Sequence, residues 1–295
     1  MIRRTLLDRI HDRSWTLVSA LLEAPTVLSE GCADAVDGSS ISASHCWARV
    51  CEAFAAGGCP SRHFRRMRAV REIVETLGPV DGRYFARLVR QWQASVLGHE
   101  SFLKIDRWGG PIRWPGILLG TAASHSSTSL RYLAHALWLR REGLVKEHGR
   151  IIEIGVGFGG LAAMNAGVSN ATTLLVDLPQ VEQTAMRMLQ ELGIGEFCRT
   201  HAQAEGFDDY CVVSNYAFTE LSADLQGEYF ERYIRHAARG VIISNANVFA
   251  GVIGGRGDEE LLAWFQNEGL PATLERTCEI LGPADRLCKV GLIRW

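Results

Sequence analysis

The sequence predicts an α/β protein in which a helical N-terminal region precedes a Rossmann-like, mostly parallel sheet that ends in an antiparallel hairpin. Three observations predict this fold. Before residue 100, apolar residues recur at helical spacing. From Arg150 onward, short apolar runs alternate with helix-like stretches, which is typical of parallel strands covered by helices on both faces. Near the end of the sequence, two strand-like runs follow each other across a short turn.

The N-terminal region is expected to contain four helices and to end near residue 105. Leu6, Leu7 and Ile10 begin the first helical pattern, and a Gly/Ser/Ala-rich break follows it. Residues 101–126 are predicted to form a loop because glycine and proline interrupt them repeatedly. Further helices are predicted at residues 45–56, 65–77, 82–96 and 127–147. We therefore expect two units, a helical lid or dimerisation region at 1–105 and a sheet domain at 106–295.

The sheet domain is predicted to begin with buried strands at Ile151–Ile154, Thr173–Val176, Cys211–Val213 and Val241–Ile243. Its last two runs, Thr273–Ile280 and Arg286–Arg294, are separated only by Leu281–Asp285. Because so short a connection cannot cross over between parallel strands, this pair is predicted to be an antiparallel hairpin. A parallel sheet completed by such a hairpin is the layout of the class I methyltransferase fold, and ordinary dinucleotide-binding domains lack that ending.

Composition and charge exclude several classes of protein. With 47% hydrophobic and 22% charged residues among 295, the chain has the composition of a globular protein. A net charge of −2 gives no basic field for nucleic acid. No apolar run reaches the roughly 18–20 residues that span a bilayer, and no signal-type apolar core follows the N-terminus, so a cytoplasmic location is expected. Eight cysteines without a CxxC pair favour reduced thiols over a zinc site.

A glycine-rich turn joins the first predicted strand to a helix. Gly155, Gly157 and Gly159 stand where the backbone turns tightly and can approach a ligand closely. The pattern also satisfies the dinucleotide fingerprint GxGxxG, so two cofactor classes are open. Glu153, two residues earlier, can anchor the turn or meet the positively charged methionine end of S-adenosylmethionine, but it has no use for a pyrophosphate. We predict S-adenosylmethionine as the cofactor, with an NAD-dependent oxidoreductase and an inactive binding module as alternatives.

Polar residues at the ends of other strands complete the predicted cofactor site. Asp177 ends the second strand, where its carboxylate can accept hydrogen bonds from both ribose hydroxyls, and Gln203 lies near the expected adenine position. Asn215 leaves the fourth strand at the edge where open α/β sheets bind ligands, although it could instead cap a helix. The predicted cofactor contacts in these segments are Asp177, Leu178, Gln203, Ser214, Asn215 and Tyr216.

Three segments resemble a bacterial family of sugar O-methyltransferases, within a resemblance that covers roughly residues 100–245. They are Ile151–Gly160, Leu175–Pro179 and Ser214–Leu221, of which the last is the most specific. The resemblance implies transfer of a methyl group from S-adenosylmethionine to a hydroxyl of a sugar or glycoside. The Asp-Leu-Pro step is also similar to plant-type phenolic O-methyltransferases, but those place a catalytic histidine after the fifth strand, and residues 243–248 contain none. A non-sugar acceptor is therefore the alternative.

A hydroxyl acceptor needs a group that takes its proton. Glu220 is the first candidate because chain geometry puts it just beyond the fourth strand, and His125, in the loop before the first strand, is the second. Arg113, Tyr132 and Asn247 are predicted on the acceptor side. No metal site is predicted, and the partners expected are a small-molecule or glycoside acceptor and a second copy of the chain in a homodimer.

Overall fold

The computed structural model describes Ser40 and residues 46–203 and 207–295, and a seven-stranded sheet forms its centre. The strands are β1 (Arg150–Ile154), β2 (Thr172–Val176), β3 (Cys198–Thr200), β4 (Tyr210–Asn215), β5 (Arg239–Ser244), β6 (Thr273–Glu275) and β7 (Gly291–Arg294). They lie in the order β3-β2-β1-β4-β5-β7-β6. The first five are parallel, and β7 runs antiparallel to both β5 and β6. This is the class I methyltransferase fold.

The antiparallel pairing of the last two strands is confirmed, but their connection differs from the predicted tight turn. Both strands are shorter than predicted, and a helix at Pro283–Leu287 lies between them. Pro283 stands in the first turn of that helix, and the Gly282 N–H donates to Asp285 Oδ2 at 2.8 Å. Proline in the first turn and an acid that accepts a hydrogen bond from the backbone N–H before that turn are both signals of a helix start. These residues therefore form a helix where a turn was predicted.

Twelve α-helices occur in the described part of the chain. They are α1 (Trp47–Ala55), α2 (Arg68–Ile73), α3 (Pro79–Gln93), α4 (Glu100–Arg107), α5 (Gly116–Leu119), α6 (Ser127–Arg141), α7 (Gly160–Ser169), α8 (Pro179–Glu191), α9 (Ala223–Tyr229), α10 (Ala246–Ile253), α11 (Asp258–Asn267) and α12 (Pro283–Leu287). The first predicted helix, from Leu6, lies outside the described residues. The loop predicted at 101–126 was wrong, because α5 and nearly all of α4 fall in this range and α4 buries Phe102 and Ile105. Helix α6 ends before 147 because Gly143, at φ +69°, follows it.

The sheet is covered on both faces by apolar side chains. On one face, Ile152 and Ile154 pack with Phe230 and Phe265. On the other face, sheet residues such as Ile151 and Val213 share one core with the helices between residues 46 and 145. The described part of the predicted N-terminal region therefore does not have a core of its own. It forms one wall of the sheet domain.

Two further expectations concern cysteines and membranes. Cys46 is disulfide-bonded, so the expectation of eight reduced thiols was wrong for this residue. The cysteines at positions 51, 59, 198, 211, 278 and 288 are reduced. Among the described helices, none combines the length and the apolar character needed to cross a membrane.

Candidate functional site

A cavity lies at the carboxyl ends of β1, β2 and β4, the edge at which open α/β sheets bind ligands. Helices α1, α6 and α9 also border it, through Trp47, Arg131 and Tyr229 among others. Nine of the residues predicted from the sequence line this cavity together: Tyr132, Glu153, Gly155, Gly157, Asp177, Leu178, Asn215, Tyr216 and Glu220. Six others, Arg113, His125, Gly159, Gln203, Ser214 and Asn247, do not line it.

The glycine turn after β1 is held in a left-handed backbone conformation. Gly155, Gly157 and Gly159 have φ angles of +81°, +54° and +88°, which L side chains rarely adopt. A Cβ on Gly155 would lie 1.9 Å from the Cβ of Ala217, so the turn also touches the segment that leaves β4. Gly159 faces away from the cavity, since a Cβ there would meet Ala185 of α8 at 3.1 Å. It serves helix packing, and only the first two glycines border the cavity.

Asp177 braces this turn from the end of β2. Its Oδ2 accepts a hydrogen bond from the Val156 N–H, and its Oδ1 accepts one from the Leu178 N–H, each at 2.8 Å. Desolvation raises the pKa of Asp177 to about 7, although these backbone hydrogen bonds favour the ionised form. The carboxylate thus links β1 to β2 at the cavity edge, and its remaining lone pairs can accept hydrogen bonds from a ligand.

Glu153 is a buried carboxyl group in the cavity wall. The side chain is 3% exposed, and its Oε2 has no hydrogen-bond partner in the described part of the chain. Burial raises the pKa of Glu153 well above its ordinary value of 4.5, and the nearby charge of Asp177 raises it further. Buried polar atoms are nearly always paired in native proteins, so an orphan oxygen in a cavity indicates the position of a ligand.

The end of β4 places two predicted residues in the cavity and fixes a third beneath it. Tyr216 has a φ of +74°, a strained value for a bulky residue, and its hydroxyl donates to Asp285 Oδ1 at 2.7 Å. Asn215 lines the cavity, and its buried Nδ2 has no partner among the described residues. Ser214 has a structural role, because its Oγ donates to the Ile154 carbonyl at 2.9 Å and accepts from the Phe218 N–H at 3.0 Å.

Glu220 also lines the cavity, and Asn245 orients it. The Asn245 Nδ2 donates to Glu220 Oε1 at 2.6 Å, while Asn245 Oδ1 lies 2.7 Å from Thr219 Oγ1. Because an amide N–H donates to the carboxyl group, Asn245 holds Glu220 in one orientation. A carboxylate oriented in this way at a cavity can accept a proton from a hydroxyl group.

His125 does not reach the cavity, which contradicts its predicted place over the site. The backbones of Trp114 and His125 pair with each other, at 2.9 and 3.2 Å, and this turns the imidazole into the protein. The ring is 1% exposed, with Nδ1 3.2 Å from Asp106 Oδ2. Arg113 binds the same carboxylate through Nε at 3.2 Å and also donates to the Ser124 carbonyl. Both residues therefore hold the loop together, and neither can touch an acceptor in the cavity.

Two other predicted contacts are used within the protein. Gln203 Oε1 accepts a hydrogen bond from the Thr200 N–H at 3.1 Å, which holds the turn after β3. The Asn247 Nδ2 donates to Asp258 Oδ2 at 3.1 Å and to the Lys289 carbonyl at 3.0 Å. Asp258 in turn forms an ion pair with Arg276 at 2.7 Å. Asn247 therefore stabilises the junction of β5 and β7.

Sequence reasoning missed several residues that line the cavity, among them Trp47, Arg131 and Tyr229, which have large aromatic or charged side chains. Trp47 and Tyr229 lie on helices whose position relative to the sheet no local pattern reveals. Arg131 gave no sequence signal either, because an arginine on a helix is ordinarily solvated and only the structure shows that α6 is buried along nearly its whole length.

Comparison with known proteins gives weak likenesses only. No family model matches the sequence, and no curated protein is significantly similar to it. A candidate O-methyltransferase from Nostoc punctiforme PCC 73102 is 13% identical, with 72% of this chain and 71% of that chain covered and a TM-score of 0.44. A methyltransferase from Aquifex aeolicus that depends on S-adenosylmethionine is 14% identical, with 54% of this chain and 87% of that chain covered and a TM-score of 0.40. Geranyl diphosphate C-methyltransferase from Streptomyces coelicolor A3(2), solved with S-adenosyl-L-homocysteine, is 14% identical. The similarity covers 55% of this chain and 77% of that chain, with a TM-score of 0.39. The fold assignment rests on strand order instead.

Proposed function

We propose that this protein is an S-adenosylmethionine-dependent O-methyltransferase that methylates a hydroxyl group of a sugar or glycoside. The observation that carries the cofactor assignment is Glu153, a buried carboxyl group with an orphan oxygen in the cavity beside the glycine turn. A cation bound there would stabilise the ionised form of Glu153 and offset its desolvation.

The cavity residues fit S-adenosylmethionine better than a dinucleotide. Asp177 would accept hydrogen bonds from the ribose hydroxyls, and the backbone at Gly155 and Gly157 leaves room for a close approach. Glu153 would lie near the cationic end of the cofactor. A pyrophosphate is negatively charged and would give the ionised form of Glu153 no such stabilisation, which argues against NAD. When bound, S-adenosylmethionine supplies an electrophilic methyl group.

Glu220 would accept the proton of the acceptor hydroxyl. Asn245 holds the carboxylate in one orientation, and such a positioned base contributes about 10²–10⁴-fold to a rate. Tyr132, Tyr229 and Trp47 present aromatic groups at the cavity, and an aromatic face suits a sugar ring. The contribution of Trp47 from α1 also supports a covering role for the predicted N-terminal region. The resemblance of residues 214–221 to sugar O-methyltransferases supports a glycosyl acceptor.

Binding measurements test the cofactor assignment. Titration calorimetry should detect S-adenosylhomocysteine and no NADH. Asp177→Asn keeps the shape but loses a charge-assisted acceptor, so its affinity for S-adenosylhomocysteine should fall by about 1.5–3 kcal/mol. Tight NADH binding, or an unchanged affinity in a folded Asp177→Asn variant, would contradict the assignment.

A turnover assay tests the base and the acceptor class. S-adenosylhomocysteine release is followed by mass spectrometry with methyl glycosides and with simple phenols as acceptors. Glu220→Gln should lower turnover by about 10²-fold or more with nearly unchanged cofactor affinity. Glu228→Gln is the matched control, since Glu228 is exposed on α9 and does not line the cavity. Turnover of phenols alone would refute the sugar assignment.

A further inference from the structure

Arg131 brings a positive charge into the cavity. It lies on α6, is 6% exposed, and is the one basic residue among the described residues that line the cavity. Its Nε is buried without a hydrogen-bond partner, and no salt bridge to Arg131 occurs among the described residues, although the negative charge of Asp285 acts on it. Arginine keeps its charge in proteins, so the protein holds a desolvated cation here.

Tyr132 and Tyr216 flank the guanidinium of Arg131 and interact with it, and the negative charge of Asp285 acts on it as well. The guanidinium carbon lies 5.3 Å from the ring centre of Tyr132 and 5.5 Å from that of Tyr216. The Tyr216 hydroxyl donates to Asp285, which fixes the ring beside the guanidinium. Two aromatic rings offer cation–π attraction and a low dielectric, and both strengthen an interaction with an anion that enters the cavity.

A buried cation without an ion pair is costly unless an anion binds beside it. Arg65, another buried arginine, forms several hydrogen bonds and an ion pair with Glu75 at 2.5 Å. Arg131 interacts with Tyr132 and Tyr216 but has no ion pair of that kind, and it lines the cavity. The planar guanidinium fork matches an oxyanion with two oxygens, such as a carboxylate, through two parallel hydrogen bonds.

The cavity therefore has acidic groups on one side and a basic group on another. Glu153 and Asp177 line it from the sheet, and Arg131 lines it from α6. Tyr132 also lines the cavity, and the charges of both Arg131 and Glu153 act on its hydroxyl. Such a cavity matches a ligand that carries a carboxylate as well as a cationic group.

We propose that Arg131, flanked by Tyr132 and Tyr216, is the carboxylate-binding group of this cavity. This inference rests on the proposed function, in which two ligands share the cavity. The carboxylate belongs either to the aminoacyl end of the cofactor or to an acidic acceptor of the uronic acid class.

Binding of three probes to the full chain tests this subsite and separates the two sources. The probes are S-adenosylhomocysteine, 5′-methylthioadenosine, which lacks the aminoacyl group, and glucuronate compared with glucose in the presence of S-adenosylhomocysteine. Calorimetry measures the first two, and saturation-transfer NMR measures the sugars. The variants are Arg131→Gln and Arg131→Lys. Arg140→Gln is the control because Arg140 lies on the same helix, half-exposed and away from the cavity.

If the carboxylate is the cofactor's, Arg131→Gln should weaken S-adenosylhomocysteine binding about 10-fold or more and leave 5′-methylthioadenosine unchanged. If it is the acceptor's, both nucleosides should bind as before, and the preference for glucuronate over glucose should disappear. Arg131→Lys keeps the charge but loses the fork, so it should show a smaller loss and covers the case in which Arg131→Gln fails to fold. Unchanged binding of all probes by the folded variants would overturn the inference. An unmodified protein that binds no S-adenosylhomocysteine would overturn the proposed function itself.

Discussion

Replacement of Gly155 by alanine separates the two constraints on the glycine turn, its backbone conformation and its packing. The φ of Gly155 is +81°, and an added Cβ would lie 1.9 Å from the Cβ of Ala217. An L-residue in this left-handed region costs about 1–2 kcal/mol. An extra methyl group in a packed site costs about 1–3 kcal/mol more. Gly155→Ala should therefore lower the free energy of unfolding by about 2–5 kcal/mol.

Gly193→Ala is the matched control for this experiment. Gly193 has a φ of +74°, but no atom lies within 4 Å of an added Cβ, so only the backbone cost of about 1–2 kcal/mol applies. In the Gly155→Ala background, Ala217→Gly removes the Cβ with which the new methyl group would clash. A double-mutant cycle should then give a favourable coupling of about 0.5–3 kcal/mol. Urea denaturation followed by circular dichroism measures all four variants. Equal losses for Gly155→Ala and Gly193→Ala would refute the packing argument.

Two other substitutions test a buried acid and a buried histidine. The pKa of Glu153 is raised well above 4.5, so the folded protein keeps a proton that the unfolded chain releases, and stability falls as pH rises above 4.5. Glu153→Gln should remove this loss of stability, which reaches up to about 1.4 kcal/mol per pH unit. The free energy of unfolding is measured between about pH 4 and 8, and parallel curves for the variant and the unmodified protein would contradict the raised pKa. His125→Asn should lower the free energy of unfolding by about 1–3 kcal/mol and leave turnover unchanged. A large loss of turnover in a folded His125→Asn variant would make His125 the base in place of Glu220.

The strands and the cavity edge were predictable because short-range patterns determine them. Continuous apolar runs locate buried strands, and the carboxyl ends of parallel strands meet at one edge. Glu153 and Asp177 could therefore be assigned to one site before their distances were known. Helix α4 was missed because only a few of its residues are apolar and the glycines and proline after it suggest a loop. Its helical conformation depends on burying Phe102 and Ile105 against the rest of the protein.

The side chains around the acceptor end were not predictable in the same way. Whether His125 faces the cavity depends on Asp106, Trp114 and the buried network beyond them, and none of these contacts has a sequence spacing that reveals it. For Arg131 the error was the reverse, because Arg131 lines the cavity but was not predicted to do so. An arginine on a helix is ordinarily solvated, so its burial becomes apparent only when α6 is seen to be covered on every side.

The position of β7 has a consequence for the fate of incomplete chains. This strand lies between β5 and β6, so the sheet cannot close until Gly291–Arg294 have been made. A chain cut short before Gly291 would leave β5 as an unprotected edge whose residues Val241–Ile243 are apolar. Exposed apolar edges pair with other chains, so chains that terminate before Gly291 should form aggregates and be substrates for proteolysis. A ribosome that stalls before Gly291 would hold the chain with the edge of β5 exposed.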